Sequence, residues 1–344
     1  RAQIANRISS QTLYPKNDMN VKSIMSTIDT PSTTSAKSTD RADEMRRGHP
    51  THLGFIDPSQ SADTGEKVGM TKQKACTTSI SKATNSYLIK QMLLRDEQII
   101  PLDNVMPRQI AADALAKVFV NGDWIGCCHN AWNICAKYRR MRRTGQMHHT
   151  VTIVCDVQVR ELYFWADIGR LLRPLICVYN NYEAYCVAAR AGKPIQFKQW
   201  IKLTKAHLDG IAAGTVTIDD LRIAGVIEYI SPEEQENAFL APNVVELRQA
   251  QHDLTHMYTH CDIDQAIFGI VTLASPLGNH SDSIRNTMYT NHRKQAAGWF
   301  VLNYADTMVK NTTFQHYSQF PLVSTMADSL TLPNGANCMV LIGC

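Results

Sequence analysis

The sequence predicts an α+β chain in which short strands and short helices interleave. Three observations carry that expectation. Hydrophobic spacing changes repeatedly between period two and helical period over short stretches, without the strand–helix alternation of a doubly wound sheet. No internal repeat is visible. The 344 residues, 44% hydrophobic and 19% charged, suffice for a sizeable core and two or three domains, which excludes a mainly disordered chain.

Taken in order, residues 21–50 are rich in Ser, Thr, Asp, Lys and Arg and read as an exposed loop. From His49 to Lys74 the chain is punctuated by Gly, Pro and Asp, so a loop built on short strands is expected. Ile80 to Leu94 has spacing that fits a helix or a long strand, and Ile110 to Ala116 continues a helical pattern. Val118 to Trp124 reads as strand, Asn-Gly turn, strand. Ala131 to Met141 is helical and runs into the basic cluster Lys137, Arg139, Arg140, Arg142 and Arg143, stopped by Gly145. Val151 to Cys155, Glu161 to Trp165 and Ile176 to Tyr179 read as strands. Lys198 to Ala213 is expected to be a helix, and Asp220 to Ile230 leads into an acidic helix start at Ser231 to Glu236.

Thirty-five Lys and Arg against 31 Asp and Glu give a net charge of +4, too small an excess to establish a nucleic-acid partner. The ten cysteines lack paired CxxC spacing, so neither a zinc ribbon nor a disulfide framework is indicated, and a reduced intracellular compartment fits. In that compartment the Asn279-His-Ser and Asn311-Thr-Thr sequons carry no meaning. No apolar run approaches the roughly 20 residues needed to span a bilayer, so no membrane partner is expected. The first residues, Arg1-Ala-Gln-Ile, read as the middle of a longer or split subunit.

Two clusters could carry chemistry. His252, His256 and His260 would share one helix face and could converge on zinc, although no Glu follows the first as in HExxH, and packing histidines are the alternative. The basic cluster 137–143 could bind phosphate through guanidinium forks, or could be a solvated helix end favoured by the helix dipole.

Three further stretches, read in order, are more specific. The first is Arg47-Gly-His-Pro-Thr-His-Leu-Gly54, followed by Pro58 to Met70 and Lys72. The second comprises Val118 to Gly126, Arg139 to Gly145, Ala166-Asp-Ile-Gly-Arg-Leu-Leu-Arg-Pro-Leu175 and Glu228 to Glu236. The third is Thr259-His-Cys-Asp-Ile263, Pro276 to His280, Arg285-Asn-Thr287, Lys294-Gln-Ala-Ala-Gly298, Pro321-Leu322 and Leu332-Pro-Asn-Gly-Ala-Asn337. Their order and distances resemble the second-largest (β-type) subunit of multisubunit DNA-directed RNA polymerases. The resemblance is to the archaeal, eukaryotic and large-DNA-virus versions and covers most of the chain, which is identified as a member of that family.

The resemblance implies a fork region at 1–85 with its loop, an external region at 86–250, a return to the fork at 251–284 and the start of a hybrid-binding region at 285–344. By resemblance Arg285 contacts the triphosphate of an incoming nucleotide, a structural ion pair being the alternative. Lys294 and Gln295 lie near the RNA–DNA hybrid, and Gln60, Asp63 and Lys72 belong to the fork loop beside nucleic acid. The family's E-T-P-E-G becomes Gln60-Ser-Ala-Asp-Thr-Gly65 with one extra residue, which puts that loop's usual polar contacts in doubt. Asp167, Gly169, Arg170, Arg173 and Pro174 match a structural signature. Mg²⁺ is expected on the largest subunit, with none held by this chain, which alone should not polymerise RNA. The implied partners are the largest subunit, other polymerase subunits, template DNA, the hybrid and nucleoside triphosphates. The implied place is the nucleus or cytoplasm, or a viral factory if the source is viral. A non-catalytic polymerase-like scaffold is the competing reading, and a stand-alone metal-dependent hydrolase using the three histidines a distant third.

Overall fold

The computed structural model describes residues 18–29, 46–62, 68–112, 114–264, 266–296 and 315–343. The chain forms two compact units, one made of residues 1–76 and 266–344, the other of residues 77–265. Helices and strands are mixed in both, the α+β arrangement that short alternating periods predict.

In the discontinuous unit, helix Asp18–Ser26 leads into strand β1 (Thr27–Asp29), so residues 21–29 are regular structure where a loop was expected. The helix buries Met19 against Val271 and Ala274, an apolar contact made with residues far along the chain, which local polarity could not reveal. Residues 30–45 of that expected loop lie outside the described residues, and 46–50 lead into a 3₁₀ turn at Pro50–His52. Strands β2 (Ile56–Ser61) and β3 (Thr71–Lys74) follow, giving a three-stranded antiparallel sheet in the order β1-β3-β2. Between β2 and β3 the chain turns at Gly69 with φ +72, where a Cβ would lie 2.5 Å from the Arg46 carbonyl oxygen, so only glycine fits. The returning segment supplies helices Ile270–Leu273 and Ser283–Gln295, then a 3₁₀ turn at Met326–Leu330.

The continuous unit holds two sheets. β4 is Ser79–Ile80, and the ambiguous stretch from Ile80 resolves as helix Ser86–Leu94, capped by Asn85. The segment expected to be helical to Ala116 ends its helix at Ala112, and strand begins at Ala116. Strands β5 (Ile99–Pro101), β6 (Ala116–Val120), β7 (Asp123–Cys128), β8 (Thr152–Asp156) and β9 (Glu161–Trp165) form the first sheet, in the order β5-β7-β6-β9-β8. The β6–β7 hairpin turns at Asn121-Gly122 with φ of 50 and 88, the left-handed pair that an Asn-Gly hairpin requires. Alternation puts Val118, Val120, Leu162 and Phe164 inside, packed on Ile134, Cys135 and Tyr138 of helix Ala131–Arg143.

The second sheet is organised by β10 (Leu171–Asn180), a long strand buried along its middle. β4, β11 (Gln199–Ile201), β12 (Ile227–Ile230) and β14 (His260–Cys261) all pair with it antiparallel, and β13 (Leu240–Ala241) pairs with β14 in parallel. The predicted helix Lys198–Ala213 is therefore a strand followed by helix Lys205–Ala212. The buried Gln199 amide explains the difference, because it donates to the carbonyls of Ala250 and His256 and ties that segment to the sheet. Arg173 and Arg170 make the ion pairs expected of structural arginines, with Asp262 at 3.1 Å and Asp167 at 3.0 Å.

The basic cluster is divided: Lys137 and Arg140 are exposed, as at a solvated helix end, whereas Arg139, Arg142 and Arg143 turn to carboxylates of this unit. Arg142 is buried and bonds Glu228 of β12 at 2.5 Å, Glu234 at 2.6 Å and the Val151 carbonyl at 2.7 Å. Arg143 adds a 2.7 Å contact to Glu228, and Arg139 a 3.1 Å contact to Glu234. These bonds link the helix of the first sheet to β12 of the second. Burial alone would raise the Glu228 carboxyl, but Arg142, Arg143 and the bond from His260 outweigh it and hold its pKa well below the usual 4.5.

The three histidines do not share a helix face. Residues 250–259 form turns, His252 bonds the Phe197 carbonyl, His256 pairs with Asp253, and His260 sits on β14. Among the described residues no helix is long and apolar enough to cross a membrane, and nine cysteines are free thiols.

Because the folded-state pKa of Glu228 is depressed, its stabilisation is present above 4.5 and is lost as pH falls through the folded value. Thermal melts should therefore show stability declining as the medium is acidified below that point. Glu228→Gln should cost about 3–5 kcal/mol at neutral pH, since it leaves a buried guanidinium short of its counter-charge, and should flatten the acid limb. A variant melting like the parent at pH 7 would contradict this account.

Candidate nucleic-acid interface

Helix Ser283–Gln295 lies against β2. Thr287 Oγ1 donates to the Ser59 carbonyl at 2.8 Å, and Asn291 Nδ2 to the Ser61 carbonyl at 2.9 Å. Thr287, Asn291 and Gln295 recur at four-residue steps and so share one face of the helix. β2 is anchored from its other end by Asp57, whose carboxylate accepts bonds from the Thr272 hydroxyl and, at 2.9 Å, from the Ser59 amide. Burial raises the Asp57 pKa, and these bonds oppose the rise.

Between the helix and the sheet lies a cleft of about 220 Å³ lined by Gln60, Ser61, Ala62, Thr71, Gln73, Asn291, Lys294 and Gln295. Gln60, Lys294 and Gln295, which the sequence assigned to two separate motifs, thus meet at one place. Gln60 is buried, with Nε2 3.3 Å from Ser23 Oγ, while Gln295 is exposed and Lys294 half-buried. Gln73 is fully used: its Nε2 donates to Thr27 Oγ1 at 2.8 Å, and its Oε1 accepts from Ser26 Oγ at 2.6 Å.

Two predicted residues fall elsewhere. Lys72 alternates to the opposite face of β3 from Thr71 and Gln73, and its ammonium donates to the Gly69 carbonyl at 2.7 Å. Burial lowers its pKa. Arg285 stands in the first turn of the helix, about 14 Å along the axis from Lys294 and on its far side by helical rotation. Its guanidinium is exposed, 3.3 Å from Met288 Sδ, and makes no ion pair among the described residues. Asp63 lies outside the described residues. Sequence reasoning missed Asn291, Thr71 and Gln73; the four-residue polar stripe 287–291–295 was the signal that could have found Asn291.

The last turn of the helix is clamped. Arg293 Nη2 donates to Asp328 Oδ1 at 2.9 Å, and both side chains are largely buried. Asp328 Oδ2 accepts from the Thr325 amide, and Asn334 Nδ2 reaches the Arg293 carbonyl at 3.4 Å. The pair fixes the turn that carries Lys294 and Gln295.

In the other unit, Cys177, Glu228 and His260 place one ligand-type atom each within 4.8 Å of one another. Glu228 is already bonded to two guanidinium groups, and burial pushes the Cys177 thiol up to about 12. With its one carboxylate committed to arginines, the trio is accounted for as a packing cluster.

Comparison with known proteins places the chain in a class. Four family models match in chain order: RNA polymerase Rpb2 domain 3 at residues 11–80, domain 4 at 118–179, domain 5 at 219–264 and domain 6 at 271–344. These are consecutive domains of a multisubunit RNA polymerase subunit. The chain belongs to the Rpb2 family of second-largest DNA-directed RNA polymerase subunits. It is 29% identical to DNA-directed RNA polymerase II subunit RPB2 of Encephalitozoon cuniculi, covering 87% of this chain and 25% of that protein. It is 30% identical to DNA-directed RNA polymerase II subunit 2 of Arabidopsis thaliana, covering 87% and 24%. To DNA-directed RNA polymerase subunit Rpo2 of Saccharolobus solfataricus it is 31% identical, covering 83% and 24%. The chain thus spans about a quarter of the length of these relatives.

Replacing Arg293 with Met should loosen the final helical turn without unfolding the unit. Amide hydrogen exchange at residues 290–295 should speed up by roughly 10–100-fold, the effect of about 1–3 kcal/mol of lost charge-assisted bonding. Unchanged protection there would show that the clamp does not hold the turn.

Proposed function

We propose that this chain forms part of the nucleic-acid-facing side of a DNA-directed RNA polymerase, an intracellular nucleotidyltransferase completed by the largest subunit and further subunits. The observation that carries the proposal is the joining, within one unit, of the β2–β3 segment and the helix bearing Arg285, Lys294 and Gln295. In this reading Lys294 and Gln295 border the RNA–DNA hybrid backbone, with Gln60 behind them. Arg285, exposed at the far end of the same helix, meets the triphosphate of the incoming nucleotide. An always-charged guanidinium there offers two parallel bonds to phosphate oxygens and offsets their charge as phosphoryl transfer proceeds. The residues after β2, with Lys72 on β3, flank template DNA.

Mg²⁺ needs an octahedral set of oxygen ligands. Among the described residues, the converging trio Cys177, Glu228 and His260 has one carboxylate, already paired with Arg142 and Arg143, and does not fit that ion. We assign the ion to the largest subunit, and no part of this chain's role runs through it. What these residues do is orient: they hold the triphosphate tail and the hybrid backbone, a contribution made by positioning.

Arg285→Ala in the assembled polymerase should lower kcat/KM for nucleoside triphosphate by roughly 10–100-fold, the equivalent of about 1.5–3 kcal/mol for a charge-assisted bond. Most of the loss should appear as a raised KM. An unchanged nucleotide affinity would favour the scaffold reading, in which the chain only binds other subunits.

A further inference from the structure

The cleft between β2, β3 and helix Ser283–Gln295 has a hydrogen-bonding polarity that its neighbours do not use up. Asn291 is 4% exposed, and its Nδ2 donates to the Ser61 carbonyl at 2.9 Å. A carbonyl can only accept, so this bond fixes the amide orientation and leaves Oδ1 as the free end. Oδ1 has no partner among the described residues. Gln60 lines the same cleft, with its amide nitrogen 3.3 Å from Ser23 Oγ and its oxygen likewise unbonded among the described residues. Gln73 has both ends occupied and serves as inert wall. The cleft therefore presents acceptor oxygens, with the Lys294 ammonium at its rim.

We infer that Asn291, with Gln60 beside it, accepts a hydrogen bond from a ribose 2′-hydroxyl whose neighbouring phosphate lies on Lys294, so that the cleft tells ribonucleotide from deoxyribonucleotide. The inference rests on the reading that this face borders nucleic acid, and it adds a ligand group and a selectivity to that reading. The walls argue for a sugar over a base. Ser61, Ala62, Thr71 and the carboxamides include no aromatic ring, so a base entering here would find nothing to stack on. The volume of about 220 Å³ equals that of about seven waters, enough for one sugar–phosphate unit. The acceptors are neutral amides, so they do not repel the phosphate as a carboxylate would. The 2′-hydroxyl is the group by which a protein separates RNA from DNA at one position, and it can donate to a fixed acceptor. Such a ribose can belong to the RNA strand of the hybrid or to the incoming nucleotide.

The test uses the polymerase that contains this chain, assayed for single-nucleotide addition. One arm uses RNA primers with a single 2′-deoxy residue at successive positions near the 3′ end; the other compares ribo- with deoxynucleoside triphosphate. Asn291→Leu should reduce the preference for the ribose form in one arm by about fivefold, the effect of one lost neutral hydrogen bond. Asn291→Asp also breaks the Ser61 bond and brings the carboxylate's repulsion of the phosphate, which should weaken ribose and deoxyribose forms alike; because it keeps an acceptor oxygen, the preference between the two should be retained. The arm that responds identifies which ribose is read. Preferences unchanged in both arms of Asn291→Leu would overturn the inference, as would an equal loss in Asn291→Asp, which would trace the effect to the Ser61 bond. Lys294→Gln separates the two claims. Unaltered hybrid affinity in that variant removes the bordering role itself, whereas weakened affinity with an intact preference in Asn291→Leu removes ribose reading alone.

Discussion

Two side-chain bonds onto a strand hold the discontinuous unit together where it matters. Thr287 and Asn291 donate to carbonyls of β2 that lie 228 and 230 positions away in sequence, and Asp57 ties the same strand to Thr272. β2 is short, and its register against β3 shifts between Ile56 and Ser61. Its Ser59 and Ser61 carbonyls thus become available to a helix instead of completing a regular ladder. Each bond is worth only about 1 kcal/mol net, but leaving the buried Asn291 amide unpaired would cost more than the bond contributes. The contact is therefore more a specification of geometry than a source of stability. Lys294 and Gln295 stand beside Gln60 because of it.

Local features of the fold were legible where the signal was local. The Asn121-Gly122 turn, the strands read from Val118 and at Glu161 to Trp165, and the helix read at Ala131 to Met141 follow from neighbouring residues and form, the helix running on to Arg143. The misreadings share one cause. Asp18–Ser26 is a helix because Met19 packs on Val271, and Gln199 lies in a strand because its amide is held by Ala250 and His256. Tertiary contacts decided both against the local pattern. At the candidate site, the ordered motifs brought out Lys294, Gln295 and Gln60. Asn291 belongs to no motif, and its importance appears only once β2 is seen to lie beneath it.

The basic run 137–143 shows the same lesson in electrostatic form. Four guanidinium groups within five residues look like a surface for phosphate, yet Arg142 is wholly inside and faces two carboxylates. Of its partners, Glu234 stands in the stretch that reads from sequence as an acidic helix start, and Glu228 in the residues leading into it. Neither run is explained alone, because each is the other's counter-charge. A buried network of this kind adds little net stability over an apolar core, but it is unforgiving of misregister. Sliding β12 by one residue along β10 would turn Glu228 to the other face, taking one of Arg142's two carboxylates and the Arg143 partner away.

That partition of charge bears on how the chain would meet nucleic acid in the role proposed for it. With Arg139, Arg142 and Arg143 paired to carboxylates, Lys137 to Asp96, and a net charge of only +4, that run leaves Arg140 as its one unpaired guanidinium among the described residues and makes no broad basic surface. Its candidate contact face is a neutral amide cleft with one ammonium at the rim and an exposed guanidinium at the other end of the helix. Such a face draws little affinity from counterion release, which grows with the number of phosphates neutralised. It suits a subunit that contributes directional hydrogen bonds and single charges at set positions. The affinity that holds a hybrid in place then has to come from surfaces contributed by the rest of the enzyme.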